Sequence, residues 1–146
     1  MIIRSDMAIL AAAAALAAIA TPSLAEEEKK KGPDPRIGAE VNRICFPRNI
    51  NGWKSVKGED NVVLLEEGVN DWYYVKVSGP CPERVFRFAH VIALDSRPAG
   101  GCIRRGDVII VEDTGNFARR CHIKRIYEWD DKAPAPGEEG ESENDG

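Results

Sequence analysis

Residues 61–77 read NVVLLEEGVNDWYYVKV. The first six form a short apolar run. Residues 72–77 are aromatic and β-branched, the types that suit a pleated, half-buried surface. Between the two runs, Glu66-Glu67-Gly68-Val69-Asn70-Asp71 combines charge with Gly and Asn. The stretch therefore predicts two antiparallel strands joined by a hairpin loop. Alternation places Tyr73, Val75 and Val77 on one face of the second strand, and Trp72, Tyr74 and Lys76 on the other. That second face either meets a further layer or forms an exposed aromatic surface for stacking or partner binding.

The same reading extends outward. Residues 49–56 fit a first strand, and residues 107–112 (DVIIVE) a clear one. Residues 119–129 return as the last strand after a turn at Asp113-Thr114-Gly115-Asn116. Residues 78–82 (SGPCP) break the pattern; one helical turn after Pro82, then a strand over 90–95, satisfies the spacing that follows. A turn is expected over 97–101 and a short helix over 36–45. Turn signals recur roughly every ten residues, which points to an all-β domain. The expected form is a small five- or six-stranded antiparallel barrel or sandwich with at most one or two short helical turns. A closed or nearly closed barrel would hide the sheet edges and bring the first and last strands together.

The flanks differ from this middle. Residues 8–20 (AILAAAAALAAIA) are apolar without a break, Arg4 precedes them, and Ser23 and Ala25 stand at small positions suited to cleavage. This pattern predicts a signal peptide over 1–25. The run is shorter than the roughly 20 residues a stable membrane span needs. No transmembrane segment is expected in the mature chain. Residues 26–38 read as a flexible leader, 39–130 as the folded domain, and 131–146 as a disordered acidic tail. Charge follows the same boundaries. The chain carries −4 in all, but residues 131–146 hold six acids and one Lys, so residues 37–130 are close to neutral. The acidity belongs to the tail, and a globally acidic domain is the wrong inference.

All four cysteines, Cys45, Cys81, Cys102 and Cys121, lie in the neutral part. An even number behind a signal peptide predicts two disulfides. Three pairings are open to four cysteines. The favoured one is Cys45–Cys121, joining the opening of the domain to its final strand, with Cys81–Cys102 clipping the loop-rich middle.

Residue patterns for chemistry are sparse. There is no CxxC, GxSxG or HExxH. The two histidines, His90 and His122, each fall inside an expected strand and are not spaced for zinc. No metal and no cofactor is expected. Arg105-Gly106-Asp107 spells a cell-adhesion tripeptide, but Gly106-Asp107 has a simpler role as the turn entering a strand. The strongest feature is basic: Arg104, Arg105, Arg119, Arg120, Lys124 and Arg125 against Asp107, Glu112 and Asp113. If the strands over 107–112 and 119–129 pair, Arg104-Arg105 and Lys124-Arg125 fall near one end. Such an end, with Tyr127, Trp129 and Trp53 nearby, suits an anionic polymer, glycan or lipid head group. Against that stand arginine stems covering apolar strand surface with their heads in water, and the acidic tail resting on the patch.

Cys45-Phe46, Ile50-Asn51-Gly52-Trp53, Trp72-Tyr73-Tyr74-Val75, Gly79-Pro80-Cys81, Cys102, Gly106-Asp107-Val108 and Cys121-His122-Ile123-Lys124-Arg125-Ile126 form an ordered skeleton. Over about residues 40–129 it resembles an uncharacterised family of short exported proteobacterial proteins, the domain of unknown function 6491 family. The resemblance implies export and a compact domain, and brings no catalytic residues with it. The long acidic tail departs from that pattern. Together these features predict an exported periplasmic, non-catalytic binding or envelope-associated module. Its expected partner is an anionic envelope polymer or another exported protein. The rival readings are a small periplasmic hydrolase using His90 or His122, and an inhibitor or partner-binding protein using a Trp72/Tyr74 face.

Overall fold

A computed structural model describes residues 33–115 and 117–137. The signal peptide expected over 1–25, most of the leader, and the tail from residue 138 lie outside the described residues. Within them the chain forms β1 (Ile37–Val41), β2 (Arg43–Ile44), a 3-10 turn (Pro47–Asn49), β3 (Ile50–Ser55), β4 (Val62–Glu67) and β5 (Asp71–Ser78). There follow α1 (Glu83–Arg87), β6 (Ala89–Asp95), β7 (Ile103–Arg104), β8 (Val108–Asp113) and β9 (Ala118–Trp129).

The six longer strands expected from the sequence run side by side in the order β3-β4-β5-β9-β8-β6, all antiparallel. The β4–β5 hairpin pairs Val62 with Lys76 through to Glu67 with Asp71. Its loop turns on Gly68 (φ 65°) and Asn70 (φ 67°), the two residue types that enter the left-handed region at least cost. The sheet curls but stops short of a closed barrel: β3 and β6, the two ends of this order, do not pair with each other, and β1 adds a further edge beside β9.

The expected short helix over 36–45 is instead strand. β1 pairs with the second half of β9 (Val41 with Ile126, Ile37 with Trp129), on the same edge that β8 uses along the first half. β2 pairs with β7 as a separate two-residue ladder. These pairings lie more than 50 residues apart in sequence, and local propensity carries no sign of them.

The expected disulfide pairing is also corrected. The bonds are Cys45–Cys102 and Cys81–Cys121. Register dictates both. Ile44 faces Ile103 in the β2–β7 ladder, so the next residues outward, Cys45 and Cys102, meet. Ser78 faces His122 at the end of the β5–β9 ladder, and the chain then turns Cys81 onto Cys121. The opening of the domain does join the final strand, but through the β1–β9 hydrogen bonds.

Both faces of the sheet are apolar. On the inner face Val63, Leu65, Val75, Ile109, Val111, Cys121, Ile123 and Ile126 pack with Val85 and Phe86 of α1 and with Ile44 and Ile103 of the ladder. On the outer face Val62, Leu64, Trp72, Tyr74 and Trp129 pack with Val56. Tyr74 stacks on Trp129 with centroids 5.7 Å apart. Cationic side chains roof this second cluster: Lys54 lies 4.0 Å from the Trp72 ring and Arg36 lies 4.5 Å from that of Trp129. The Trp72/Tyr74 surface considered for partner binding is thus covered, with Tyr74 only 2% exposed.

Replacing Cys81 and Cys121 together by Ala should lower the unfolding free energy by about 4 kcal/mol, since the bond closes a 40-residue separation. The urea midpoint reads this, and a loss under about 1 kcal/mol would show that the bond does not constrain the unfolded chain as that model requires. A second expectation concerns alkali. Burial, then the hydrogen bond to the Glu59 carboxylate, raises the Tyr74 hydroxyl well above the usual tyrosine value of 10.0. A group raised in the folded state stabilises fully below its unfolded value and loses that contribution as pH climbs toward the folded one. Stability should therefore fall above about pH 10, and Tyr74→Phe should flatten the fall. Equal slopes for parent and variant in urea titrations across that range would refute this.

Candidate functional site

The expected hairpin forms: β8 pairs with β9 from Val108–His122 to Glu112–Ala118. Beyond that ladder, the Ile123 carbonyl accepts from the Gly106 N–H and the Ile123 N–H donates to the Asp107 carbonyl, both at 2.9 Å. The turn before β8 is therefore tied to β9. Asp107 closes it: its buried carboxylate accepts the Arg104 N–H at 2.9 Å, and its own N–H donates to the Arg104 carbonyl. Gly106 takes φ 93°, a conformation that a Cβ would strain. The Arg-Gly-Asp tripeptide thus serves as a turn, and it presents Arg104 and Arg105 to solvent.

At the same level β9 is irregular. Lys76 faces Arg125 but Val77 faces Ile123, which leaves Lys124 as an extra residue. This bulge breaks the two-residue alternation. Ile123 and Ile126 both reach the inner face, and Lys124 and Arg125 are exposed in succession. Arg43 joins them, because it lies opposite Arg104 in the β2–β7 ladder. A hollow lined by Asn42, Arg43 and Arg104 marks the junction.

The six basic residues expected to act together divide into two groups. Arg104, Arg105, Lys124 and Arg125 meet at this end. Arg119 and Arg120 lie four to six residues away along β9, roughly 13–20 Å at the strand rise. Arg119 sits 3.5 Å from Asp113, and Arg120 lies 3.3 Å from Asp95. The hydrogen bond from the Gly115 N–H, and then Arg119, hold the Asp113 carboxyl below its usual range. Arg125 is shared with Glu40 at 3.7 Å. Arg43, Arg104, Arg105 and Lys124 make no ion pair among the described residues. Arg43 escaped the sequence reading, but a signal existed. It precedes Cys45 by two residues as Arg104 follows Cys102 by two, and the true pairing would have brought the two together.

The histidines offer no acid–base constellation. His90 lies near the Asp113 end of β8, and His122 faces Val108 at the other. Ser78 is directly opposite His122, but no side-chain hydrogen bond joins them among the described residues, and Asp95 on the neighbouring row is taken by Arg120. No cluster of three or more His, Cys, Asp or Glu suited to a metal occurs among the described residues.

A second concavity lies at the seam where the sheet fails to close. The cleft measures about 330 Å³ and reaches the inner core at Leu65. Trp53 of β3 forms one wall, and Ile92 and Leu94 of β6 the other. Its rim carries Arg48 from the 3-10 turn and Ser96 beyond β6. The Cys45–Cys102 bond stands between this cleft and the basic end, so one covalent link fixes the borders of both. No helix among the described residues is long and apolar enough to cross a membrane.

No curated protein and no solved structure matches the chain. A family model does, over residues 1–145. The chain belongs to the family of unknown function DUF6491.

Proposed function

We propose that this protein is an exported, non-catalytic binding module of an oxidising compartment, the periplasm. Its contact is an anionic envelope polymer, met at the end where Arg43, Arg104, Arg105 and Lys124 converge. Support for export comes from the leader-like residues 1–25 and from two disulfides, which persist in oxidising surroundings and rarely in a cytosol. The observation that carries the binding reading is charge without compensation. Four cations occupy one end of a nearly neutral domain and make no ion pair among the described residues, while the other arginines of β9 do. Paired surface charges contribute little to binding a third party, because their field is already cancelled. The turn that presents Arg104 and Arg105 is held by a buried carboxylate, so the backbone that carries these side chains is fixed before any partner arrives.

Retention on a heparin column tests this. Arg104→Glu, Arg105→Glu and Lys124→Glu combined should elute at clearly lower salt than the parent, with an unchanged urea midpoint. Arg120→Ala, which removes an already paired charge, should shift elution little. If the triple variant were retained as strongly as the parent, the basic end would not be the contact surface.

A further inference from the structure

The seam cleft is unlike the rest of the domain. Elsewhere the inner apolar face is covered: α1 inserts Val85 and Phe86 near one end, and the β2–β7 ladder inserts Ile44 and Ile103. At the seam, Trp53, Ile92 and Leu94 pack on the core with one side only, and their other sides line the cleft. Its volume of about 330 Å³ falls at the lower end of the roughly 300–1,000 Å³ typical of small-molecule sites. The polar groups around it are unequal. The Asn51 amide donates to the Gly68 carbonyl at 2.7 Å, and the Ser96 hydroxyl donates to the Pro98 carbonyl at 3.2 Å. Both are occupied. Arg48 is exposed, makes no ion pair among the described residues, and meets no acid among the residues lining the cleft.

The lip beside Arg48 is held in an unusual state. Phe46 adopts φ 60° and ψ 56°, a left-handed conformation that is costly for a bulky side chain. The residue is 71% exposed. The Asn49 N–H closes the turn onto the Phe46 carbonyl at 2.7 Å, and the neighbouring Cys45–Cys102 bond anchors it. Strain of this kind persists where the surroundings enforce it, commonly at ligand contacts. A second hollow under this lip shares Pro47, Arg48 and Gly100 with the cleft, so the concavity continues past Arg48 toward the aromatic ring.

From the pairing of an apolar trough with one uncompensated cation, we propose that the seam cleft binds a free single-chain amphiphile with an anionic head, such as a medium-chain carboxylate. The chain lies against Trp53, Leu65, Ile92 and Leu94. The head meets the Arg48 guanidinium, whose planar fork matches a carboxylate. The site is separate from the polyanion surface and does not depend on it.

Titration of the full chain with decanoate below its micelle concentration, followed by tryptophan fluorescence and calorimetry, is the test. Expected are saturation at one decanoate per chain, no binding of butyrate, and about tenfold weaker binding of decanol, the loss of one charge-assisted contact. Arg48→Gln, an exposed substitution that leaves the core intact, should weaken decanoate about tenfold and leave decanol unchanged. Trp53→Phe should abolish the fluorescence change and keep the calorimetric signal. The Arg104→Glu, Arg105→Glu, Lys124→Glu variant should bind decanoate as the parent does, which separates this site from the polyanion surface. Absence of saturable binding, equal affinity for decanoate in Arg48→Gln and parent, or binding only to vesicles of anionic phospholipid would each overturn the proposal.

Discussion

One strand must satisfy two edges and two faces at once. β9 pairs with β5 along one side, while β8 and β1 divide the other between them. Cys121, Ile123 and Ile126 face the inner core, and Trp129 faces the outer aromatic cluster. A strict two-residue alternation places residues three apart on opposite faces. The bulge at Lys124 supplies the missing step, letting Ile123 and Ile126 share the inner face. That step falls beside the place where β8 gives way to β1. The basic end therefore follows from the sheet: two consecutive exposed cations arise where the strand changes phase, and the turn before β8 docks there because Ile123 offers it both hydrogen bonds.

The second organising element is the small ladder of β2 and β7. Two residue pairs cannot sustain a sheet alone. It holds because Ile44 and Ile103 are each 1% exposed in the core and because Cys45 and Cys102 are bonded just outside them. This staple converts two long connections into a fixed border. On one side it sets Arg43 against Arg104, and on the other it sets Phe46, Arg48 and Gly100 around the seam. The open edge at β3 has protection of a familiar kind: Lys54 on the strand and α1 packed beside it, both obstacles to pairing with another chain.

The sequence was most legible where structure is local. The hairpin of β4 and β5, the helical turn after Pro82 and the strands β6, β8 and β9 all announce themselves through β-branched runs and turn residues within a window of ten. β1, β2 and β7 did not. IGAEV and the dipeptides Arg43-Ile44 and Ile103-Arg104 have little pattern of their own: β1 becomes a strand because the edge of β9 is open to it, and β2 and β7 because the fold sets them against each other. The disulfides were misassigned for the same reason, since register across distant strands decides which sulfurs meet. Among the site residues, Arg104, Arg105, Lys124 and Arg125 were visible as a charge cluster. That Arg119 and Arg120 are engaged elsewhere depends on Asp113 and Asp95, whose distances only the fold determines. The cleft was not visible, because Trp53, Ile92 and Leu94 read as ordinary core positions on strands 40 residues apart.

The central position of β9 also orders events in time. Among the described residues it comes after eight other strands, and three of them, β1, β5 and β8, have β9 as a partner. As the chain lengthens, no strand of the β3–β4–β5 meander pairs with the β6–β8 pair until β9 is added between them. The partner of Cys81, Cys121, comes with this last strand, whereas Cys45 and Cys102 are both present some twenty residues earlier. Contacts of high sequence separation close last and most slowly. The staple of β2 and β7 can already tie these halves at one border, but the sheet is continuous only when its final strand is in place, and Cys81–Cys121 is the bond that records completion.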